Sequence, residues 1–146
     1  MKVLAIDYGS ARTGVAVSDP TGTLARPLTV VARVGGRSGL ADLCAIIEAE
    51  APGLIVVGMP YTLRGEVGSQ AEETARFVAR LSRRCRIPIE TADERYTTSI
   101  ARARSSETRS RPSRRSTSDD AEAAAVLLQG ELDRRAGDDV SFASLP

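Results

Sequence analysis

An acid closes the first strand of this chain, and few features constrain a fold as tightly. Lys2-Val3-Leu4-Ala5-Ile6 runs into Asp7, and residues 2–8 are too continuously apolar for a strand with one wet face. They read as a central strand buried on both faces. A carboxylate at the end of such a strand is costly to desolvate unless a cation meets it, so Asp7 points to a metal or phosphate site. Its alternative role is to cap the turn that follows, since Asp and Gly favour turns. Gly9 and Gly14 bracket that reversal, and Val15-Ala16-Val17-Ser18 leads away from it as a second strand.

The chain has no histidine. This excludes every dyad or triad with an imidazole base and every zinc site with a histidine ligand. Chemistry here falls to carboxylates, hydroxyls, arginines or a bound ion, and oxygen-only ligand sets select hard ions such as magnesium or manganese. The two cysteines, Cys44 and Cys85, are 41 positions apart and read as buried free thiols, neither a metal pair nor a framework disulfide. With 146 residues and 42% apolar content the chain can bury a core without staples. No apolar run reaches the roughly 20 residues that span a bilayer, and the first residues read as a strand ending in an acid rather than as the hydrophobic core and cleavage site of a signal peptide. A cytoplasmic protein with no membrane partner is expected.

The net charge of +1 conceals an asymmetry. Between Ile100 and Ser118 six arginines (Arg102, Arg104, Arg109, Arg111, Arg114, Arg115) face one acid, Glu107, so this segment carries +5 and the remainder −4. A polar, serine-rich cationic stretch of this kind suits contact with a polyanion; a solvated flexible loop is the plainer reading.

Along the chain, Asp19-Pro20-Thr21-Gly22 marks a turn, and Thr23 to Val34 supplies a third strand in which Pro27 implies an edge or a bend. After the break at Gly35-Gly36-Arg37-Ser38-Gly39, the recurrence of Leu40, Leu43, Cys44 and Ile47 predicts a helix of about twelve residues. Leu54 to Val57 is a short buried strand. The loop after it, through Gly58-Met59-Pro60 and carrying Arg64 and Gly65, lies at a strand's carboxyl end, where open α/β sheets bind ligands. Ser69-Gln70-Ala71-Glu72 has capping-box spacing ahead of a second helix. Ile87 to Ala92 forms the last strand and leads into Asp93-Glu94-Arg95; a short helix from Thr97 is possible. A final helix runs from about Asp119 to Arg135. The expectation is an α/β domain over residues 1–136, with a flexible basic segment at 100–118 and a frayed tail at 137–146: three antiparallel strands, then parallel strands, in a mixed five-stranded sheet with helices on both faces.

Three acids from distant parts of the chain occupy comparable places: Asp7 at the end of the first strand, Glu94 just past the last strand, and Asp119 or Asp120 at the start of the last helix. If they converge, mutual repulsion requires cations, and two divalent ions about 3.5–4 Å apart would suit phosphodiester chemistry. At about 100° per residue, Ala121, Ala125, Leu128 and Leu132 form the buried stripe of the last helix, with Ala124 beside it. Asp120 borders that stripe and Asp119 lies nearly opposite, so Asp120 is the candidate ligand. Both could instead complement the helix dipole. Alternation lets one of Asp93 and Glu94 share a face with the other acids without saying which.

Taken together, Asp7-x-Gly9-x-x-Arg12-x-Gly14-Val15-Ala16-x-Ser18-Asp19, Gly58-x-Pro60 with Gly65 and Gln70-Ala71, Asp93-Glu94-Arg95-x-Thr97-Thr98, and Asp120-x-x-x-Ala124-Ala125 resemble the YqgF/RuvX family of RNase H-like nucleases, over residues 2 to about 133. The resemblance implies an RNase H-like fold and a site for two Mg2+ or Mn2+ ions held by Asp7, Glu94 and Asp120. Arg12 and Arg95 would orient phosphates, and the 102–115 arginines would contact the backbone of structured RNA or branched DNA. Members are described as nucleases maturing the end of precursor 16S rRNA and as Holliday junction resolvases; the latter activity would call for a homodimer. A non-catalytic nucleic-acid-binding protein is the further alternative. Two departures stand out: Thr62 stands where the family often has asparagine, and residues 100–118 are almost wholly serine, threonine and arginine where the family shows a leucine-bearing helix, a glycine and then lysines.

Overall fold

The computed structural model describes residues 1–60, 68–93 and 117–143, with the side chains of the last helix described from 119 to 137. Five strands, β1 (Val3–Asp7), β2 (Arg12–Ser18), β3 (Ala25–Ala32), β4 (Leu54–Met59) and β5 (Ile89–Asp93), form one sheet in the order β3-β2-β1-β4-β5. The first three are antiparallel, while β4 pairs parallel with both β1 and β5. Three helices, α1 (Arg37–Glu50), α2 (Ser69–Ser82) and α3 (Thr117–Ala143), complete the described elements. The mixed five-stranded sheet expected from the sequence is present.

Alternation along β1 divides the core in two. Leu4 and Ile6 point into a cluster with Leu40, Leu43 and Ile47 of α1 and Phe77 and Leu81 of α2. Val3 and Ala5 point the other way, against Ala124, Leu127, Leu128 and Leu132 of α3. Both faces are therefore helix-covered, which is why β1 and β4 read as unbroken apolar runs. Each leucine that α3 buries adds about 1.5–3 kcal/mol of burial free energy.

Polar contacts fix how α3 lies on the sheet. Gln129 Oε1 accepts the Ala25 N–H at 2.9 Å and its Nε2 donates to the Thr23 carbonyl at 3.0 Å, anchoring the helix to the start of β3. Farther along, Arg135 bonds both Glu131, at 3.0 Å, and Glu90 of the edge strand β5. Burial works to raise the pKa of the Glu131 carboxyl, but the hydrogen bonds and charges of Arg134 and Arg135 outweigh it, and the net shift is downward.

Pro27 sits on an edge strand, as expected. The β2–β3 register slips by one residue between Val15 and Ala16, so that Leu28 has no partner of its own and Pro27, which has no N–H to donate, falls at a bulge. Other expectations need correction. The first helix begins at Arg37 and takes in Gly39, where a Cβ would stand 2.1 Å from the Arg33 carbonyl oxygen; only glycine lets the first turn come this close to the end of β3. The capping box at Ser69 is not formed. Gly68 is the N-cap and no side chain caps the helix, because α2 starts one residue earlier than that motif requires. The last helix continues to Ala143, so residues 137–143 are helical where a frayed tail was expected; once nucleated, a long helix propagates past one glycine at a cost of about 1 kcal/mol. Thr117 and Ser118, assigned from sequence to the flexible segment, open that helix. Both cysteines are free and half-buried, and burial raises the Cys44 thiol. Among the described residues, no helix is long and apolar enough to cross a membrane.

Candidate active site

The carboxyl end of β1 lies at the centre of the sheet. Asp7 is its last residue, and alternation with Val3 and Ala5 places it on the α3 face. Its ladder partner on β2 is Gly14. A Cβ built at Gly14 would meet the Asp120 carbonyl oxygen at 1.9 Å and its carbonyl carbon at 2.5 Å, so the first turn of α3 rests directly on the β2 backbone at this point. The two acids are thereby brought to the same strand end, Asp7 from across the ladder and Asp120 from above it.

Asp120 is 14% exposed, and its Oδ2 is buried with no hydrogen bond to it. Among the described residues the Arg12 guanidinium pairs with that oxygen, its Nε 3.2 Å away. Arg12 starts β2 two residues before Gly14 and therefore shares its face. A buried carboxylate oxygen that accepts no hydrogen bond is costly to maintain, and its chemistry fits a hard cation. Asp7 and Asp120 thus suit an oxygen-ligated divalent ion. Among the described residues no group of three or more potential metal-ligating side chains occurs; Glu94, the third acid implied by the resemblance, lies outside the described residues.

The reversal between β1 and β2 is held from within. Thr13, fully buried, accepts the Gly9 N–H at 3.2 Å through its hydroxyl and donates to the Gly9 carbonyl at 3.1 Å. Just beyond Asp7, Tyr8 turns to the opposite face, donates to Glu73 Oε1 at 2.8 Å and stacks on Phe77 with 4.7 Å between ring centroids. Burial, then the Glu73 hydrogen bond and charge, push the Tyr8 hydroxyl up to about 12. This clasp joins α2 to the end of β1.

The first turn of α3 departs from the expected phase, and Asp119 and Asp120 are both partly buried. Ala124 is fully buried and Ala125 only partly, so the stripe of α3 is centred slightly off the expected line, and Asp119 is half-buried rather than fully turned to solvent. At the end of β5, Ala92 belongs to the α3 side of the core while Ile89 packs on the other. Asp93 therefore alternates away from the face of Asp7. Arg64, Arg95, Arg102, Arg104, Arg109, Arg111, Arg114 and Arg115 lie outside the described residues, as does the short helix expected from Thr97. The sequence reading missed the contact of Gly14 with Asp120, for which the glycine itself was the available signal, and the Arg12–Asp120 pair, which no sequence periodicity marks.

A five-stranded mixed sheet in this order, helix-covered on both faces and with acids gathered at the carboxyl end of β1, defines an RNase H-like domain of the resolvase type. Solved structures share the fold: a Thermus thermophilus RuvC in complex with Holliday junction substrate superposes with a TM-score of 0.61 at 20% identity, covering 94% of this chain and 96% of that one. The fowlpox virus Holliday junction resolvase gives 0.57 at 10% identity, covering 92% and 99%. A family model described as "RuvX: Holliday junction resolvase" matches residues 1–134, and the chain belongs to this family. Relatives named "Putative pre-16S rRNA nuclease" include one from Acaryochloris marina, 35% identical over 135 residues, and one from Roseiflexus sp., 38% identical over 132 residues; these matches cover 92% and 90% of this chain and 94% of each relative.

Proposed function

We propose that this chain is a metal-dependent nuclease that hydrolyses phosphodiester bonds in structured nucleic acid, acting at the end of precursor 16S rRNA. The observation that carries the reading is the buried, hydrogen-bond-free Oδ2 of Asp120, brought by Gly14 to the strand end that carries Asp7. The names of the relatives supply the substrate.

Asp7 and Asp120, with Glu94, would hold two Mg2+ or Mn2+ ions. Such ions, when bound, lower the pKa of water and stabilise charge on the attacking and leaving oxygens. Arg12 lies beside Asp120, partly exposed, and its guanidinium would be available to a phosphate oxygen of the substrate at the same place. Arg64, Arg95 and the arginines from Arg102 to Arg115 contribute sequence-independent backbone contacts, which makes affinity strongly salt-sensitive. The setting is the cytoplasm.

A second reading, resolution of four-way DNA junctions, is favoured by the family description and by the likeness to junction resolvases. It requires a homodimer, since each site cuts one strand. The discriminating experiment offers the purified protein an equal mixture of labelled precursor 16S rRNA fragment and four-way DNA junction, with and without Mg2+ or Mn2+. Metal-dependent loss of the RNA alone supports the proposal, and loss of the junction in paired cuts supports the second reading. Cleavage of neither, with binding retained, would leave a nucleic-acid-binding protein without catalysis.

A further inference from the structure

Arg33 stands in an unusual place. It follows the last residue of β3 with φ +49°, in the left-handed region that favours glycine, although glycines are available two and three residues later. Its backbone is pinned on both sides: its N–H donates to the Ala11 carbonyl at 3.0 Å, and its carbonyl accepts the Gly36 N–H at 2.9 Å. Gly39 of α1 closes against that same carbonyl. The turn is rigid, its side chain is exposed, and four residues on, Arg37 opens α1, also exposed.

The position of this turn follows from the register. Arg12 pairs with Ala32, so Arg33 is the next residue after the partner of Arg12, and Ala11, whose carbonyl it bonds, is the residue before Arg12. Because β3 runs antiparallel to β2, and β2 to β1, the end of β3 lies at the same sheet end as Asp7. No acid occurs from Pro20 to Ala41. Among the described residues neither Arg33 nor Arg37 forms an ion pair. Arg26, at the other end of β3, does, 3.9 Å from Glu50.

We infer that Arg33 and Arg37 form a second phosphate-backbone contact surface, on the β3 side of the site, which grips the nucleic-acid strand as it leaves the carboxylates past Arg12. This rests on the nuclease reading above and adds to it a direction for the bound strand. The pinned backbone of Arg33 and the helix start at Arg37 fix where the two side chains leave the fold, and each guanidinium's planar fork matches phosphate oxygens. The contact is made equally with the substrate and with the transition state, so its loss raises KM and leaves kcat unchanged.

The test measures binding of a labelled four-way DNA junction and of a labelled precursor rRNA fragment by full-length Asp7→Asn protein across a salt series, so that cleavage does not intervene. The same series is run with Arg33→Ala/Arg37→Ala, Arg33→Lys/Arg37→Lys and Arg26→Ala added. The alanine pair is expected to weaken binding to both probes and to flatten the plot of log affinity against log salt by about 1.4–1.8, two phosphate contacts' worth. The lysine pair restores the slope, and Arg26→Ala leaves it unchanged. Thermal midpoints within a degree or two of the parent assign any loss to contact rather than to folding. An alanine pair whose slope and affinity match those of Arg26→Ala overturns this inference alone, while a parent that binds neither probe overturns it together with the nuclease reading.

Discussion

The Asp120 carbonyl oxygen occupies the space that a side chain on Gly14 would need, 1.9 Å from where its Cβ would stand. Because Gly14 is also the ladder partner of Asp7, one missing side chain sets both the seat of α3 on the sheet and the meeting of the two acids.

Gly14→Ala should therefore act on stability and on the site together. The clash is with backbone, so α3 must shift, which is expected to cost about 1–3 kcal/mol. Urea unfolding gives the stability change, and activity measured where the variant is still fully folded should fall at least tenfold. A variant that unfolds at the wild-type midpoint and keeps full activity would show that α3 does not rest on this glycine.

Arg12→Ala removes the cation beside the buried Oδ2 of Asp120. The guanidinium is partly exposed but the carboxylate oxygen it faces is buried, so orphaning that oxygen should cost about 1–3 kcal/mol in the absence of metal. Removing the guanidinium also removes the competitor for Asp120, so Mg2+ or Mn2+ should raise the thermal midpoint of the variant at lower concentrations than for wild type. The check is a metal titration followed by thermal unfolding; identical titration curves would count against Asp120 as a ligand.

The Tyr8–Glu73 clasp predicts an alkaline limb of stability. The folded-state pKa of about 12 exceeds the ordinary value of 10.0, so the stabilisation is complete below pH 10 and declines as pH rises toward 12. Tyr8→Phe keeps the stack on Phe77 but lacks the hydroxyl. It should lose about 0.5–1.5 kcal/mol at neutral pH and show a shallower fall between pH 9 and 11 than wild type in denaturant titrations.

Most of this architecture is legible in the chain because the signals are local. Continuous apolar runs mark β1 and β4 as central, Pro27 marks β3 as an edge, and helical spacing marks α1, α2 and α3. Helix phase finds the buried stripe of α3 because its apolar spacing is regular, and it errs slightly at Ala125 because the stripe is centred nearer Ala124. The features that escape are those set by distant backbone. The start of α1 depends on how closely Gly39 approaches Arg33, and the start of α2 on Gly68 rather than on the Ser69 motif. The face of Asp93 follows from which side of β5 the core takes up Ala92, and alternation within the strand cannot supply that.

The most direct test of the account is cleavage by Asp7→Asn protein, assayed beside wild type with Mg2+ or Mn2+ on both the precursor rRNA fragment and the four-way junction, with binding measured in parallel. Asp7→Asn is isosteric and leaves the β1–β2 ladder intact, so the account predicts binding within about threefold of wild type and cleavage reduced by at least about a thousandfold, the scale of losing a group on which the chemistry depends. Cleavage at the wild-type rate would contradict it, and the acid that closes the first strand would then be no more than a structural end to β1.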